Sequence, residues 1–258
     1  MNVLIGDIGN SITKICLIKS KDLKINKISY INSNDILRKN LLKKELKKIL
    51  KNKTLSKVSL FSSVVPKYES VFRKLLQKLY NIKLKEIKDK NIYKIIKINI
   101  KNRNQVGSDR IANAVGVYKK YKTNCIVLDF GTATTFDVVT KNGVYNGGII
   151  APGVKLSIKS LSSSADQIPI FVIKKQKKII GKNTIEALRS GFYWGYSGLI
   201  NNIISRIEKE TKKKYKIIFT GGYANLFKTS ITRPFKIDKN ITINGIIEIF
   251  KKNKKYLY

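Results

Sequence analysis

Histidine is absent from the 258-residue chain. Its absence excludes Ser-His-Asp catalysis and every metal site that depends on imidazole ligands. Only two cysteines occur, Cys16 and Cys125, and both lie in apolar, strand-like segments. Two isolated cysteines provide neither a disulfide framework nor a cysteine metal cluster, so we expect both to be reduced residues of the core.

Long hydrophobic runs are also missing. No segment approaches the roughly 18 consecutive apolar residues that a membrane-spanning helix needs, and the first residues lack the basic and apolar regions of a secretion signal. We therefore expect a cytoplasmic, globular protein that has no membrane partner. A hydrophobic content of 43% can fill one large core or two of ordinary size.

Acidic residues are scarce: 16 Asp and Glu stand against 53 Lys and Arg, which gives a net charge of +37. Such an excess is typical of proteins that bind nucleic acids or anionic membranes. However, only seven of the basic residues are arginine, whose planar fork recognises phosphates and base edges. The lysines are spread along the whole chain with abundant Ile and Asn, as in proteins of AT-rich genomes. Compositional drift is favoured, and specific nucleic-acid binding is not expected.

The hydrophobic pattern predicts an α/β protein with two similar halves. Strands are predicted where apolar and polar residues alternate or where a short apolar run ends in turn residues, at 2–6, 11–19, 23–31, 58–65, 125–130, 134–140, 144–150 and 216–220. Helices are predicted where apolar residues recur at helical spacing, at 35–51, 68–80, 111–121, 184–210 and 243–253.

Each half contains an Asp-x-Gly turn between two strands, at residues 7–13 and 129–135. Glycine allows a tight turn whose backbone amides approach an anion, and the carboxylate can hold a cation. One such turn is common in ordinary hairpins, but two matching copies favour a phosphate and metal cradle that holds ATP between two domains. We predict these domains at residues 1–118 and 119–258.

A third acidic turn, Gly107-Ser108-Asp109-Arg110, precedes a predicted helix. Either Ser108 or Asp109 could simply cap that helix. Alternatively, Asp109 could accept a proton from a substrate hydroxyl while Arg110 attracts a carboxylate or phosphate. The scarcity of acidic residues favours the second interpretation.

Five motifs, in order, resemble those of type III pantothenate kinase over nearly the whole chain. They are Asp7-Ile8-Gly9-Asn10-Ser11-Ile12-Thr13-Lys14, Gly107-Ser108-Asp109-Arg110, Asp129-Phe130-Gly131-Thr132-Ala133-Thr134-Thr135, Gly147-Gly148-Ile149-Ile150-Ala151-Pro152-Gly153 and Thr220-Gly221-Gly222. The resemblance implies two ribonuclease-H-like (actin-like) domains, each a mixed sheet flanked by helices, with a central cleft. It also implies a homodimer that phosphorylates pantothenate with ATP, the first step of coenzyme A synthesis.

The resemblance further implies a role for each matching residue. Asp109 would be the catalytic base, and Asp129 would bind a monovalent cation, K⁺ or NH₄⁺, used alongside Mg²⁺ that accompanies ATP. The residues implied to bind ATP are Asp7, Ile8, Gly9, Asn10, Ser11, Ile12, Thr13, Lys14 and Thr132. Those implied to bind pantothenate are Gly107, Ser108, Asp109, Arg110 and Thr184.

The chain departs from the family pattern at one substrate position. Where the family commonly has Tyr-x-Asn-Pro, this chain reads Ile100-Lys101-Asn102-Arg103, which removes a hydroxyl contact to pantothenate. Two alternative functions stay open on the sequence: a nucleic-acid-associated transcription accessory factor, as some family members were first described, and a kinase of another hydroxylated acceptor.

Overall fold

The computed structural model describes residues 1–89 and 94–257. Its strands are β1 Asn2–Ile8, β2 Ile12–Lys19, β3 Ile25–Asn32, β4 Val58–Ser63, β5 Lys83–Glu86, β6 Lys97–Ile98, β7 Cys125–Phe130, β8 Ala133–Val139, β9 Val144–Pro152, β10 Lys216–Gly221 and β11 Phe235–Ile237. Its helices are α1 Lys39–Leu50, α2 Pro66–Tyr80, α3 Ser108–Tyr121, α4 Val154–Ser164, α5 Thr184–Thr211 and α6 Ile241–Leu257.

The contacts divide the chain into two units. The first contains Met1–Lys122, Gly143–Tyr145 and Asn240–Tyr258, and the second contains Thr123–Asn142 and Asn146–Lys239. The last helix thus groups with the first unit rather than with its neighbours in sequence. The chain-order domains, 1–118 and 119–258, stay a prediction.

The first unit is built on a mixed sheet with the order β3-β2-β1-β4-β5. Strands β1, β2 and β3 form an antiparallel meander, whereas β4 and β5 continue the sheet parallel to β1. The parallel pairing brings the carboxyl ends of β1, β4 and β5 to one edge. Strand β6 pairs in parallel with Val144 and Tyr145 at the start of β9.

Helices α3 and α6 of the first unit pack closely because glycine replaces a side chain at their contact. A Cβ atom at Gly245 would overlap the carbonyl oxygen of Ala112. The hydroxyl of Thr242 donates a buried hydrogen bond of 2.7 Å to Asn113 Oδ1 beside this contact. This packing holds α3, which begins at the third acidic turn.

The second unit has a sheet in which β11, β10, β7, β8 and β9 follow one another. Strand β10 is parallel to β7 and β11, and β8 is antiparallel to β7. The long helix α5 contributes Tyr193, Ile200 and Ile204 to the core, where they are at most 1% exposed. The aromatic residues Phe192, Trp194 and Tyr196 pack partly buried against the same core.

The two mixed sheets flanked by helices confirm the predicted α/β fold class. The predicted helices are all present, although α1 begins four residues later, at Lys39 rather than residue 35, and α3 begins three residues earlier, at Ser108 rather than Ile111. Helix α4 and the short strands β5, β6 and β11 were not predicted. Across the described residues, no helix combines the length and hydropathy required to cross a membrane.

Candidate active site

The carboxyl ends of parallel strands β1, β4 and β5 place the polar residues of the first unit. Asp7 lies near the end of β1, Ser62 and Ser63 end β4, and Glu86 ends β5. In open α/β sheets, ligands bind beyond the carboxyl ends of the strands. This edge is therefore where a bound substrate is expected.

Asp7 is fixed by its neighbours on both sides of β1. Its register partners are Lys14 on β2 and Ser62 on β4. The Ser62 hydroxyl donates a hydrogen bond to Asp7 Oδ1, and both side chains are buried. A carboxylate and a half-buried lysine thus lie opposite each other on adjacent strands.

The turn between β1 and β2 separates exposed residues from buried ones. Asn10, Ser11 and Ile12 are exposed, whereas Ile8 and Thr13 are fully buried. Thr13 Oγ1 lies 2.9 Å from Ser33 Oγ in a buried hydrogen bond. The side chains of Ile8 and Thr13 therefore support the turn, and the segment Gly9–Ser11 is the part that a ligand can reach.

Helix α3 begins without a side-chain cap. Its N-cap residue is Gly107, and Ser108 and Asp109 are the first two residues inside the helix. Neither therefore occupies the capping position that was the simpler interpretation of this turn. Asp109 Oδ1 accepts a hydrogen bond of 2.8 Å from the Arg110 backbone amide and lies only 2.6 Å from where a Cβ at Gly107 would be.

Arg110 is held on the first unit by an aromatic ring. Its guanidinium carbon lies 5.8 Å from the centre of the Tyr145 ring, a cation–π distance. Asp109 and Arg110 are both half-buried. A positive and a negative side chain are thus presented together at the start of α3, as expected of a site that binds an anionic, hydroxylated substrate.

In the second unit, Asp129 lies between two threonines of the neighbouring strands. Its register partners are Thr220 on β10 and Thr135 on β8. Gly221 has a φ of +84°, and a Cβ there would lie 2.7 Å from Asp129 Oδ1 and 2.5 Å from the Phe130 backbone nitrogen. Glycine is required at this position, and it allows β10 to approach Asp129 closely.

The hydroxyl oxygens of Thr135 and Thr220 are buried and have no hydrogen-bond partner within residues 1–89 and 94–257. A buried, unpaired hydroxyl costs free energy, which a bound ion or ligand can recover. Oxygen donors suit hard cations, so the two hydroxyls and the Asp129 carboxylate fit a cation of that kind. The described residues contain no group of three acidic or cysteine side chains that could hold a metal alone. Mg²⁺ commonly binds through one or two carboxylates and substrate phosphates instead.

The other two predicted site residues also belong to the second unit. Thr132 is exposed in the turn after β7, and its carbonyl accepts a hydrogen bond of 3.1 Å from Gly153. Thr184 is the first residue of α5, after Asn183, whose side chain caps the helix by accepting from the Glu186 amide at 2.9 Å. Thr184 also lines an apolar groove of about 650 Å³ along α4 and α5.

A sequence model of the type III pantothenate kinase family matches residues 3–206. The type III pantothenate kinase of Pelagibacter ubique is 50% identical over 245 residues, which cover 95% of this chain and 97% of that protein. The chain belongs to the type III pantothenate kinase family. The family member from Hyphomonas neptunium is 38% identical over 193 residues, 75% of this chain and 76% of the relative.

Solved structures support the same fold at low sequence identity. A Campylobacter jejuni protein assigned to the Baf family of transcriptional activators is 21% identical, with a TM-score of 0.62, over 98% of this chain and 100% of that one. A Sinorhizobium meliloti protein assigned as a 2-dehydro-3-deoxygalactonokinase is 7% identical, with a TM-score of 0.63, over 97% of this chain and 98% of that one. These likenesses show the fold alone, and they confirm the predicted actin-like fold of mixed sheets flanked by helices.

Sequence reasoning missed several polar residues at these edges. Ser62 and Glu86 contact the predicted turns of the first unit, and Lys88 contacts the loop just before the second of them. Thr220 lay within a recognised motif, but its place beside Asp129 was not predicted. One signal was available: Glu86 occupies an inward position of the alternating segment Lys83–Glu86, where an apolar residue is expected. The others depend on strand pairing that the sequence does not define.

Proposed function

We infer that this type III pantothenate kinase family member transfers the γ-phosphoryl group of ATP to the primary hydroxyl of pantothenate, the first step of coenzyme A synthesis. The observation that carries this inference is 50% identity to the Pelagibacter ubique relative over 95% of the chain. Identity of that extent over both units favours the same activity over a transcription accessory role.

In the proposed reaction, Asp109 accepts the proton of the pantothenate hydroxyl. The hydroxyl oxygen forms a bond to the γ-phosphorus, the bond from that phosphorus to the bridging β–γ oxygen breaks, and ADP leaves. The products are ADP and 4′-phosphopantothenate. Phosphoryl transfer depends mainly on positioning and on neutralising charge, so one carboxylate base suffices. Asp109 is suited to this role because it lies within the helix rather than at its cap.

We propose that ATP phosphates bind at the turn Gly9–Ser11, with Lys14 and Asp7 beside it, and at Thr132. The exposed turn offers backbone amides, and the register places Lys14 opposite Asp7. Mg²⁺ bound with ATP would supply charge neutralisation on the phosphates. Thr132 is exposed in a matching turn of the second unit.

We propose that Asp129, Thr135 and Thr220 hold the monovalent cation, K⁺ or NH₄⁺. The buried hydroxyls of the two threonines, which lack a partner in the described part of the chain, support this set. Pantothenate would contact the segment 107–110 and Thr184. Arg110, held over Tyr145, is the suitable partner for the pantothenate carboxylate. With isoleucine at position 100, that position adds only an apolar contact.

We propose that α5 forms the homodimer contact. Nothing lies within 4 Å of a Cβ built at Gly191, Gly195 or Gly198, although glycine weakens a helix. Gly191 and Gly195 line the apolar groove of about 650 Å³. The segment whose carbonyls at Val172 and Ile179 bond to α5 also carries strongly exposed apolar residues: Ile170 78%, Val172 68%, Ile179 68% and Ile180 71%. A second copy would cover this surface.

An ADP-release assay with purified protein, ATP, Mg²⁺ and K⁺ tests the function. ADP release is expected with pantothenate and not with a panel of sugars and other hydroxylated acceptors. Release with another acceptor alone would show a different kinase on the same fold, and release with none would contradict the proposal. Sedimentation of the same sample tests the dimer, which an introduced Gly195→Glu is expected to weaken.

A further inference from the structure

Glu86 is a buried carboxylate for which the proposed reaction has no direct use. It is 8% exposed at the end of β5, where it pairs with Phe61 on β4. Its carboxylate accepts hydrogen bonds from the backbone amides of Ser63, at 3.3 Å, and Lys88, at 2.6 Å. The Ser108 hydroxyl donates a third. The carboxylate thus joins the end of β4 to the start of α3.

Lys88, two residues later, holds the chain that leads into the same helix. Its Nζ donates to the carbonyl oxygens of Asn104, at 3.0 Å, and Val106, at 3.1 Å. Together, Glu86 and Lys88 fix the loop at three alternate residues, 104, 106 and 108. Gly107 lies between the last two of these residues, and Asp109 follows immediately after them.

The position of the Asp109 carboxylate depends on this backbone. Its Oδ1 lies 2.6 Å from where a Cβ at Gly107 would be, and α3 has no side-chain cap that would fix the turn. A displacement of about 1 Å at a reacting group can lower the rate about 100-fold. Contacts that hold residues 104–108 therefore bear on catalysis without touching substrate.

We propose that Glu86 and Lys88 are positioning residues, which fix the segment 104–108 so that Asp109 is aligned with the substrate hydroxyl. The proposal rests on the proposed function of Asp109 as base. Burial raises the pKa of Glu86, an effect that the hydrogen bonds from Ser108 and Lys88 oppose and that the Glu69 and Asp89 carboxylates reinforce. Arg73 lies between these two carboxylates, at 2.5 Å and 3.8 Å.

Glu86→Gln is the first test variant, because glutamine keeps the shape and removes one acceptor oxygen and the charge. We expect kcat to fall about ten-fold or more while KM for ATP changes less than about two-fold. Glu45→Gln, at a half-buried glutamate of α1 that pairs with Lys48, is the matched control. Lys88→Met is expected to act like Glu86→Gln, with Lys74→Met on α2 as its control.

Two readouts separate positioning from general stability. Protonated glutamic acid resembles glutamine, so the kcat ratio of wild type to Glu86→Gln should approach one as pH falls through the raised pKa of Glu86. In addition, Ser108→Ala combined with Glu86→Gln should be no slower than the slower single variant. The proposal would be overturned if the kcat ratio of wild type to Glu86→Gln did not change with pH, or if the effects of Ser108→Ala and Glu86→Gln multiplied in the double variant. A kcat of Glu86→Gln within two-fold of wild type would also overturn it.

Hydrogen exchange keeps this proposal separate from the proposed function. The backbone amides of residues 104–110 should exchange faster in Glu86→Gln than in wild type or Glu45→Gln, at equal global stability corrected by urea unfolding. This result is expected whichever acceptor the enzyme uses. If wild-type protein shows no pantothenate-dependent ADP release, only the proposed function is contradicted. If hydrogen exchange of residues 104–110 is unchanged in Glu86→Gln, the positioning role is overturned.

Discussion

The Ser62 hydroxyl on β4 donates a buried hydrogen bond to the Asp7 carboxylate on β1. The two residues are register partners across parallel strands, although 55 residues separate them in sequence. The strand that follows the first helix therefore orients the carboxylate of the first Asp-x-Gly turn. Ser62 belongs to the proposed ATP site through this contact.

Ser62→Ala should weaken ATP binding more than pantothenate binding. Loss of a buried hydrogen bond to a carboxylate costs about 1.5–3 kcal/mol, so we expect KM for ATP to rise about ten-fold. Steady-state kinetics with each substrate varied measures the effect. Ser59→Ala, a fully buried serine of the same strand whose hydroxyl makes only a 3.5 Å contact, is the control. Equal effects of the two variants would refute the role of Ser62.

Thr220→Val tests the cation site, because we expect this variant to lose K⁺ activation without losing stability. Without K⁺, removal of a buried hydroxyl that has no partner in the described chain should leave the free energy of unfolding unchanged or raise it by about 1 kcal/mol. Activation by K⁺ should be lost, and so should the K⁺-dependent rise in melting temperature. Thr134→Val removes a similar hydroxyl in register with Phe130 rather than Asp129 and should retain both. If Thr220→Val retains them as well, Thr220 is not a ligand.

Two adjacent glycines should differ sharply in tolerance to alanine. Gly221 has a φ of +84° and would place a Cβ 2.6 Å from the Phe130 carbonyl oxygen, whereas a Cβ at Gly222 would lie 4.0 Å from it. We expect Gly221→Ala to lower the free energy of unfolding by more than about 1 kcal/mol and to impair K⁺ activation. Gly222→Ala should stay within about 0.5 kcal/mol of wild type by urea unfolding. Similar losses in both variants would contradict the geometry.

Glu86 should make stability depend on pH in a defined direction. Burial raises its pKa in the folded protein, so the folded state binds the proton more tightly than the unfolded state. Stability from this group is therefore present near the ordinary glutamate pKa of about 4.3 and is lost as pH rises toward the raised pKa. Glu86→Gln does not titrate there. The free energy of unfolding of Glu86→Gln minus that of wild type should therefore rise with pH across that interval. A difference that stays constant or falls would contradict the prediction.

Local patterns predicted most of the fold because the regular elements are long enough to show their period. The β1–β3 meander and helices α1, α2 and α5 follow from alternation and helical spacing. Strands β5, β6 and β11 contain only two to four residues and have too few positions to show alternation. Helix α4 was missed because it follows directly from β9 after Gly153, with no polar or acidic cap to mark its start.

The site was predicted less completely, since its contacts join distant parts of the chain. Asp7, Asp109 and Asp129 could be identified because each lies beside a glycine turn in a chain that has few acidic residues. The hydrogen bonds of Glu86 with Ser63 and Ser108 depend instead on where β4 and β5 end and where α3 begins in the folded chain. No local pattern determines that arrangement.

We propose that Asp109 serves as the base in phosphoryl transfer to pantothenate. Its most direct test is the turnover number for 4′-phosphopantothenate formation, measured by mass spectrometry, in wild type, Asp109→Asn and the exposed control Asp22→Asn. Removal of a general base lowers a rate about 100- to 10,000-fold, so Asp109→Asn should fall by that factor with nearly unchanged KM for ATP. Asp22→Asn should match wild type. Phosphopantothenate formation by Asp109→Asn at the wild-type rate would contradict the account.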